Sequence, residues 1–206
     1  LFRSGLSATG AFATIILERL LDTVTVLVLL ASFVFFFGRD MGAANPAVFA
    51  GVKWVGGAAA VAAAGALVVL FVLAGDPARL GRTLRRLEAV VPSALAGLVA
   101  AVAERFAIGL GVIRRPGRLL VALAWSFPLW LSIALGIWFV ALAFRLPVPF
   151  TGTFLLMSVL VLGVAVPTPG AVGGFHAAFR LAATAFYGVS DTRAVGAAIV
   201  LHALSF

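Results

Sequence analysis

The residues with chemical potential in this chain gather around one interruption. Pro167-Thr168-Pro169-Gly170 is followed by Gly173, Gly174, His176 and Arg180. Two prolines remove two backbone donors and a glycine admits a positive φ, so carbonyls lose their partners while the next helix exposes its first N–H groups. Such N–H groups suit an anion, and Gly173 and Gly174 clear side chains from the approach. His176 and Arg180 stand four apart, on one face of that helix, and both donate well to phosphate. A plain proline kink between two ordinary helices is the competing reading, and a snorkelling Arg180 is the competing reading of that arginine.

A second group is Glu18, Arg19 and Asp22. Glu18 and Asp22 are four apart on one helical face and repel unless a cation lies between them; Arg19, Arg180 and a lipid amine are the candidates, and an ordinary interfacial charge cluster is the alternative. His202 is a polar residue in an apolar run, for which a helix-to-helix hydrogen bond is the default explanation. Two distant histidines and no cysteine give no metal site and no cofactor site. Neither a nucleophile elbow, a phosphate-binding glycine loop nor a paired-histidine zinc motif is present, so an enzyme lacks its residues.

The elements that hold these residues are membrane helices. Apolar residues make up 64% of the 206, charged residues 11%, and the mean hydropathy is +1.21. A soluble domain has about a quarter charged. Fifteen Lys and Arg against seven Asp and Glu give a net charge of +8. Because the basic residues lie between apolar runs, membrane topology explains them and nucleic-acid binding does not.

Apolar runs place spans at about 11–37, 54–75, 119–144 and 150–166. Lys53 and Trp54 anchor the second, Pro128 bends the third, and Trp125, Phe127, Trp130 and Trp138 pack against lipid or helices. Residues 146–179 run thirty-four positions without a charged residue, about 51 Å as one helix, which no bilayer accommodates. The breakers at 167–174 therefore divide the run, and 167–187 reads as a re-entrant segment. Irregular backbone survives at membrane depth only against protein or water.

The connection from Asp76 to Arg118 holds eight arginines and three acids. Leu80, Leu84, Leu87 and Val91 fall on one face of a helix lying at the membrane surface, and Arg79, Arg82 and Arg86 line another face suited to anionic headgroups. Ser93–Gly111 follows as a second surface or half-inserted helix. The positive-inside rule puts this interfacial stretch, 77–112, in the cytoplasm.

The fold class is thus all-α: a polytopic membrane helix bundle, one membrane domain over 1–206, with a re-entrant helix hairpin and cytoplasmic amphipathic helices. A chain opening on Leu1 and ending at Phe206 within an apolar run reads as a piece lacking its first and last helices.

The runs ILERLLDTVTVLVLL at 16–30 and PTPGAVGGFHAAF at 167–179, with the basic connection and the closing GAAIVLHALSF, resemble the flippase-like membrane family that shares its fold with the transmembrane region of lysylphosphatidylglycerol synthase. The resemblance implies lipid handling, since in the synthase this region translocates an aminoacylated lipid made by a separate soluble domain that this chain does not include. By position, Glu18, Arg19, Asp22, Pro167, Pro169, Gly170 and Gly173 match the family's marks; many members carry Glu at the position of His176. The expected function is binding and translocation of an anionic lipid, a phospholipid or polyprenyl-phosphate carrier, in a bacterial inner membrane. The alternative is a non-transporting subunit that anchors a lipid-modifying enzyme or glycosyltransferase. Membrane lipids are the expected partners, with a homo-oligomer or a membrane enzyme as the protein partner and no nucleic acid.

Overall fold

A computed structural model describes residues 8–38, 46–85 and 92–206. Among them nearly every residue is helical and no strand occurs. The α-helices are α1 (Ala8–Ser32, prolonged by a π turn over Phe33–Phe37), α2 (Pro46–Leu73), α3 (Pro77–Arg85), α4 (Ser93–Gly109), α5 (Pro116–Ala143), α6 (Thr153–Ala165), α7 (Gly174–Tyr187) and α8 (Asp191–Ser205). Stretches Ala8–Phe36, Phe49–Leu73 and Pro116–Ala143 are long and apolar enough to cross a membrane. These correspond to three of the four expected spans. The fourth, at 150–166, is a shorter apolar helix, Phe150–Ala165, about 24 Å at 1.5 Å per residue against a hydrocarbon core of about 30 Å.

The chain divides into two compact units, residues 1–24 with 61–126 and residues 25–60 with 127–206. In the first, Ala13, Leu17 and Leu21 recur at helical spacing on α1 and are buried with Leu70, Ala74, Leu110 and Ile113. A Cβ on Gly109 would lie 2.8 Å from the Gly10 backbone, so the missing side chains let α1 and α4 touch. Helix α3 packs against α4; its Leu80 and Leu84 are half-buried while Arg82 is exposed. Leu87, Val91 and Arg86 lie outside the described residues. On α4, Leu95, Leu98, Val99, Val102 and Ile108 are exposed, an apolar surface larger than water-soluble domains usually leave bare.

In the second unit α6 sits at the centre: Thr153, Phe154, Leu155, Leu156, Met157, Leu160 and Gly163 are buried. Against it lie Phe175, Ala178, Phe179, Ala182 and Ala183 of α7, the i, i+3, i+4 stripe of one helical face. Ala194, Ala197, Ala198 and Leu201 of α8 extend the same core, as do Ala134, Ile137, Val140 and Ala141 of α5. Helix α5 continues unbroken through Pro128.

Short helices need firm ends, and this unit supplies them. Arg145, at φ 51°, closes α5 with hydrogen bonds from its own N–H to Leu142 and from Leu146 to Ala141. Gly188, at φ 61°, closes α7 with bonds from Gly188 to Thr184 and from Val189 to Ala183. Both are left-handed C-terminal stops of the kind that recover orphan carbonyls.

Candidate functional site

The proline-glycine box breaks the helix. Val166 and Thr168, each preceding a proline, are extended (ψ 119° and 147°), because a following pyrrolidine ring excludes the helical conformation. Gly170 and Ala171 then take φ of 59° and 56°, and Gly173 takes 93°. For Ala171 the left-handed conformation costs roughly 1–2 kcal/mol. The turn is held by Ala171 N–H to the Thr168 carbonyl and Val172 N–H to that of Pro169.

Beyond the break the chain folds back. A Cβ on Gly163 would collide with Ala178 and the Gly174 carbonyl, and one on Gly174 would collide with the Gly163 carbonyl. At the other end the Tyr187 hydroxyl donates to the Gly152 carbonyl at 2.9 Å. Helices α6 and α7 are therefore antiparallel, in backbone contact near the box. Glycines at 163 and 174 are what permit that closeness.

Helix α8 lies along α7 and brings two polar pairs together. Arg180 grips Asp191 with both edges of its fork, Nε to Oδ1 at 2.8 Å and Nη2 to Oδ2 at 3.0 Å. The hydrogen bond from Arg180 holds the carboxyl of Asp191, at the mouth of the hairpin, below the usual carboxylate range. Nearer the box, the His176 and His202 rings have centroids 4.8 Å apart. His202 Nε2 lies 2.8 Å from the Gly170 carbonyl oxygen, so that nitrogen carries the proton and donates. His176 Nδ1 accepts from the Gly173 N–H at 3.4 Å, covering the first donor of α7. Phe206 stacks on His202, and Phe175 meets it edge-on. Thr168 Oγ1, in the turn itself, is shielded from solvent and has no hydrogen-bond partner.

Pro167, Pro169, Gly170, Gly173, Gly174, His176 and Arg180 thus share one helical hairpin. His176 and Arg180 do share a face, and it is turned to α8. Sequence reasoning left two participants out of the site. Asp191 has no place among the candidate residues of the sequence, and His202 is assigned only a helix-to-helix bond. Their signal was the stop at Gly188: His176 lies twelve residues before it and His202 fourteen after, so two helices folded at Gly188 bring the rings to the same level.

Glu18, Arg19 and Asp22 form their own group in the first unit. Arg19 reaches Glu18 at 2.8 Å and Asp22 at 3.5 Å, so the cation between the carboxylates comes from the same turn of helix. Asp22 is buried while Glu18 is exposed. The group lies within the membrane-length helix, ten residues from its described start at Ala8. Arg79 and Arg82 are on α3. Among the described residues no three His, Asp or Glu side chains gather into a metal-binding group.

Three membrane-length helices with an apolar exterior, and a broken hairpin carrying polar groups, define a polytopic helical membrane protein. The chain belongs to the lysylphosphatidylglycerol synthase TM region family, whose model matches residues 1–206. Comparison with curated proteins gave no match. Comparison with solved structures gave none either.

Proposed function

We infer that the protein binds an anionic lipid, a phospholipid or a polyprenyl-phosphate carrier, at the 167–174 box and helps its headgroup cross the bilayer. The observation that carries this reading is the break itself. Three consecutive short helices, α6, α7 and α8, meet at a turn with left-handed residues at 170, 171 and 173. Irregular backbone at membrane depth is tolerated only against protein or a water-filled cavity, and in this reading the box lines such a cavity. Membership of the family supports the same reading.

In this reading α6 and α7 are a re-entrant hairpin. Arg145, Tyr187, Asp191 and Arg193 stand at its mouth, where the Arg193 guanidinium donates to the Arg145 carbonyl. Helices of 13 to 15 residues carry the box about 20 Å inward, past the middle of a hydrocarbon core of about 30 Å. The Arg-rich stretch 76–118 is cytoplasmic by the positive-inside rule. The box then opens toward the cytoplasmic leaflet of a bacterial inner membrane, and Arg79, Arg82 and Arg86 attract anionic lipid there.

The first-turn N–H groups of α7 hold phosphate oxygens, with His176 donating. Arg180 has five N–H donors, of which Asp191 takes two, and the others remain for the headgroup. The protein performs no bond-making chemistry of its own.

The test is headgroup accessibility in vesicles reconstituted with the full chain and fluorescent phosphatidylglycerol, bleached from outside. Wild type exposes lipid from both leaflets, whereas Arg180→Ala, which loses a charge-assisted contact, and Gly170→Leu, which puts a side chain at φ 59°, each slow exposure at least about tenfold. Wild-type rates in both variants sink the site. A stable enzyme partner with no lipid movement by the purified chain establishes the anchoring subunit instead.

A further inference from the structure

Among the described residues of its unit, the box has no fixed positive charge without a partner. In the described part of this unit the charged side chains are Lys53 on α2, Arg145 after α5, Arg180 on α7, and Asp191 and Arg193 on α8. Arg180 is neutralised by Asp191, and Arg193 binds the Arg145 carbonyl near the mouth. Lys53 lies over the Phe49 ring. Neither α6 nor the 166–173 turn has a titratable residue. Among the described residues of this unit, His176 and His202 are the ones left that can make the box cationic.

Their hydrogen bonds decide what a proton does. With His202 Nε2–H committed to the Gly170 carbonyl, its next proton goes to Nδ1. With His176 Nδ1 accepting from Gly173 N–H, its neutral ring carries hydrogen on Nε2, and the next proton lands on Nδ1 itself. That proton turns an acceptor into a donor facing another donor, Gly173 N–H, 3.4 Å away. Two donors at that separation need an acceptor between them. The neutral imidazole is therefore a self-made cap on α7, and its protonation both uncovers the helix N-terminus and adds a charge beside it. Rings 4.8 Å apart do not both charge readily, so the pair takes one proton.

We propose that the His176–His202 pair is a proton-coupled anion site: a phosphate-type anion binds at the box together with one proton drawn from water and held on His176 Nδ1. This rests on the box being the anion site and adds how its occupancy is set. The partnerless Thr168 Oγ1 in the same turn is a further polar group without a protein partner.

The experiment is calorimetric titration of the full chain in phosphatidylcholine nanodiscs, in buffers of differing ionisation enthalpy, which counts protons taken up on binding. The probes are dioctanoyl phosphatidylglycerol, whose diester does not itself titrate here, and inorganic phosphate. Where one proton is taken up on binding, affinity should fall about tenfold per unit rise in pH, the slope of a single linked proton. His176→Gln keeps a capping acceptor on α7 but cannot charge, so it should bind more weakly than wild type, equally at every pH and without proton uptake; its melting temperature verifies folding. Binding of wild type with no proton uptake overturns the coupling and leaves the anion site standing. Uptake undiminished in His176→Gln also overturns it. Binding of phosphate but not lipid, with uptake lost in the variant, supports the coupled site and identifies free phosphate as its ligand. Binding of neither probe overturns the anion site and the coupling with it.

Discussion

Helix α2 and the stretch 150–187 are both apolar and both glycine-bearing, yet one is a continuous rod and the other a folded hairpin. Helix α2 keeps Gly51, Gly56, Gly57 and Gly65 inside 28 helical residues. At 51, 57 and 65 an added Cβ would meet nothing within 4 Å. The hairpin's Gly163 and Gly174 are in backbone contact, and Gly170 and Gly173 have left-handed φ. Glycine alone therefore does not break an apolar helix, since its intrinsic cost is about 1 kcal/mol. Pro167 and Pro169 do, by removing donors and excluding helix at the residues before them. The glycines then supply conformation and closeness.

The largest way to break this contrast is Gly163→Leu. Its side chain meets the Ala178 methyl and the Gly174 backbone, and overpacking of this kind costs about 1–3 kcal/mol. Because backbone cannot give way as a side-chain tip can, the upper end is expected. Gly65→Ala on α2 has open space and should be neutral or stabilise by about 0.5–1 kcal/mol. Thermal unfolding in one detergent compares them; equal losses in both would mean that the hairpin's tight contact is not the distinction.

Next is the carbonyl of Gly170. His202→Phe retains ring stacking on Phe206 but removes the donor at 2.8 Å, and a carbonyl left unsatisfied costs about 1–3 kcal/mol. His202→Gln can still donate and should recover most of the loss. A third, smaller pair concerns conformation alone. Gly170→Ala adds a side chain at φ 59° with only the Val172 side chain near, at 3.9 Å, so the loss is the left-handed cost of about 1–2 kcal/mol. Ala171→Gly removes the same cost at φ 56° and should raise the melting temperature. A fall instead would show that the buried Ala171 methyl contributes more packing than it costs in strain.

Much of this was readable from residue order. Uncharged run lengths gave three membrane-length helices within a few residues, and Ser93–Gly111 emerged as helix Ser93–Gly109. The break was legible because Pro-Thr-Pro-Gly has few backbone solutions. The partners were not. Asp191 reaches back eleven residues to Arg180, and His202 reaches thirty-two to Gly170. Such pairings depend on where α7 stops and how α8 is phased against it. Residue type says that an arginine in an apolar helix needs a partner; it does not say which. The nearest carboxylates by motif, Glu18 and Asp22, had Arg19 beside them already.

The smallest expected effect contrasts that Arg19 group with the Arg180 pair. Asp191 is exposed and its ionisation is favoured by the Arg180 hydrogen bond, so its folded carboxyl titrates below the unfolded one. The sign follows from linkage: the pair stabilises the fold fully above the ordinary Asp range, about pH 4, and the contribution fades as pH falls through the lower folded value. Asp191→Asn cannot show that fade, so wild type and variant should converge in melting temperature on acidification and separate slightly near neutrality. Exposure keeps the separation small, and added salt should narrow it further. The order is diagnostic. If Asp191→Asn lowers stability more than His202→Phe does, the α7–α8 hairpin is held mainly at its charged latch, and the box end is the looser one.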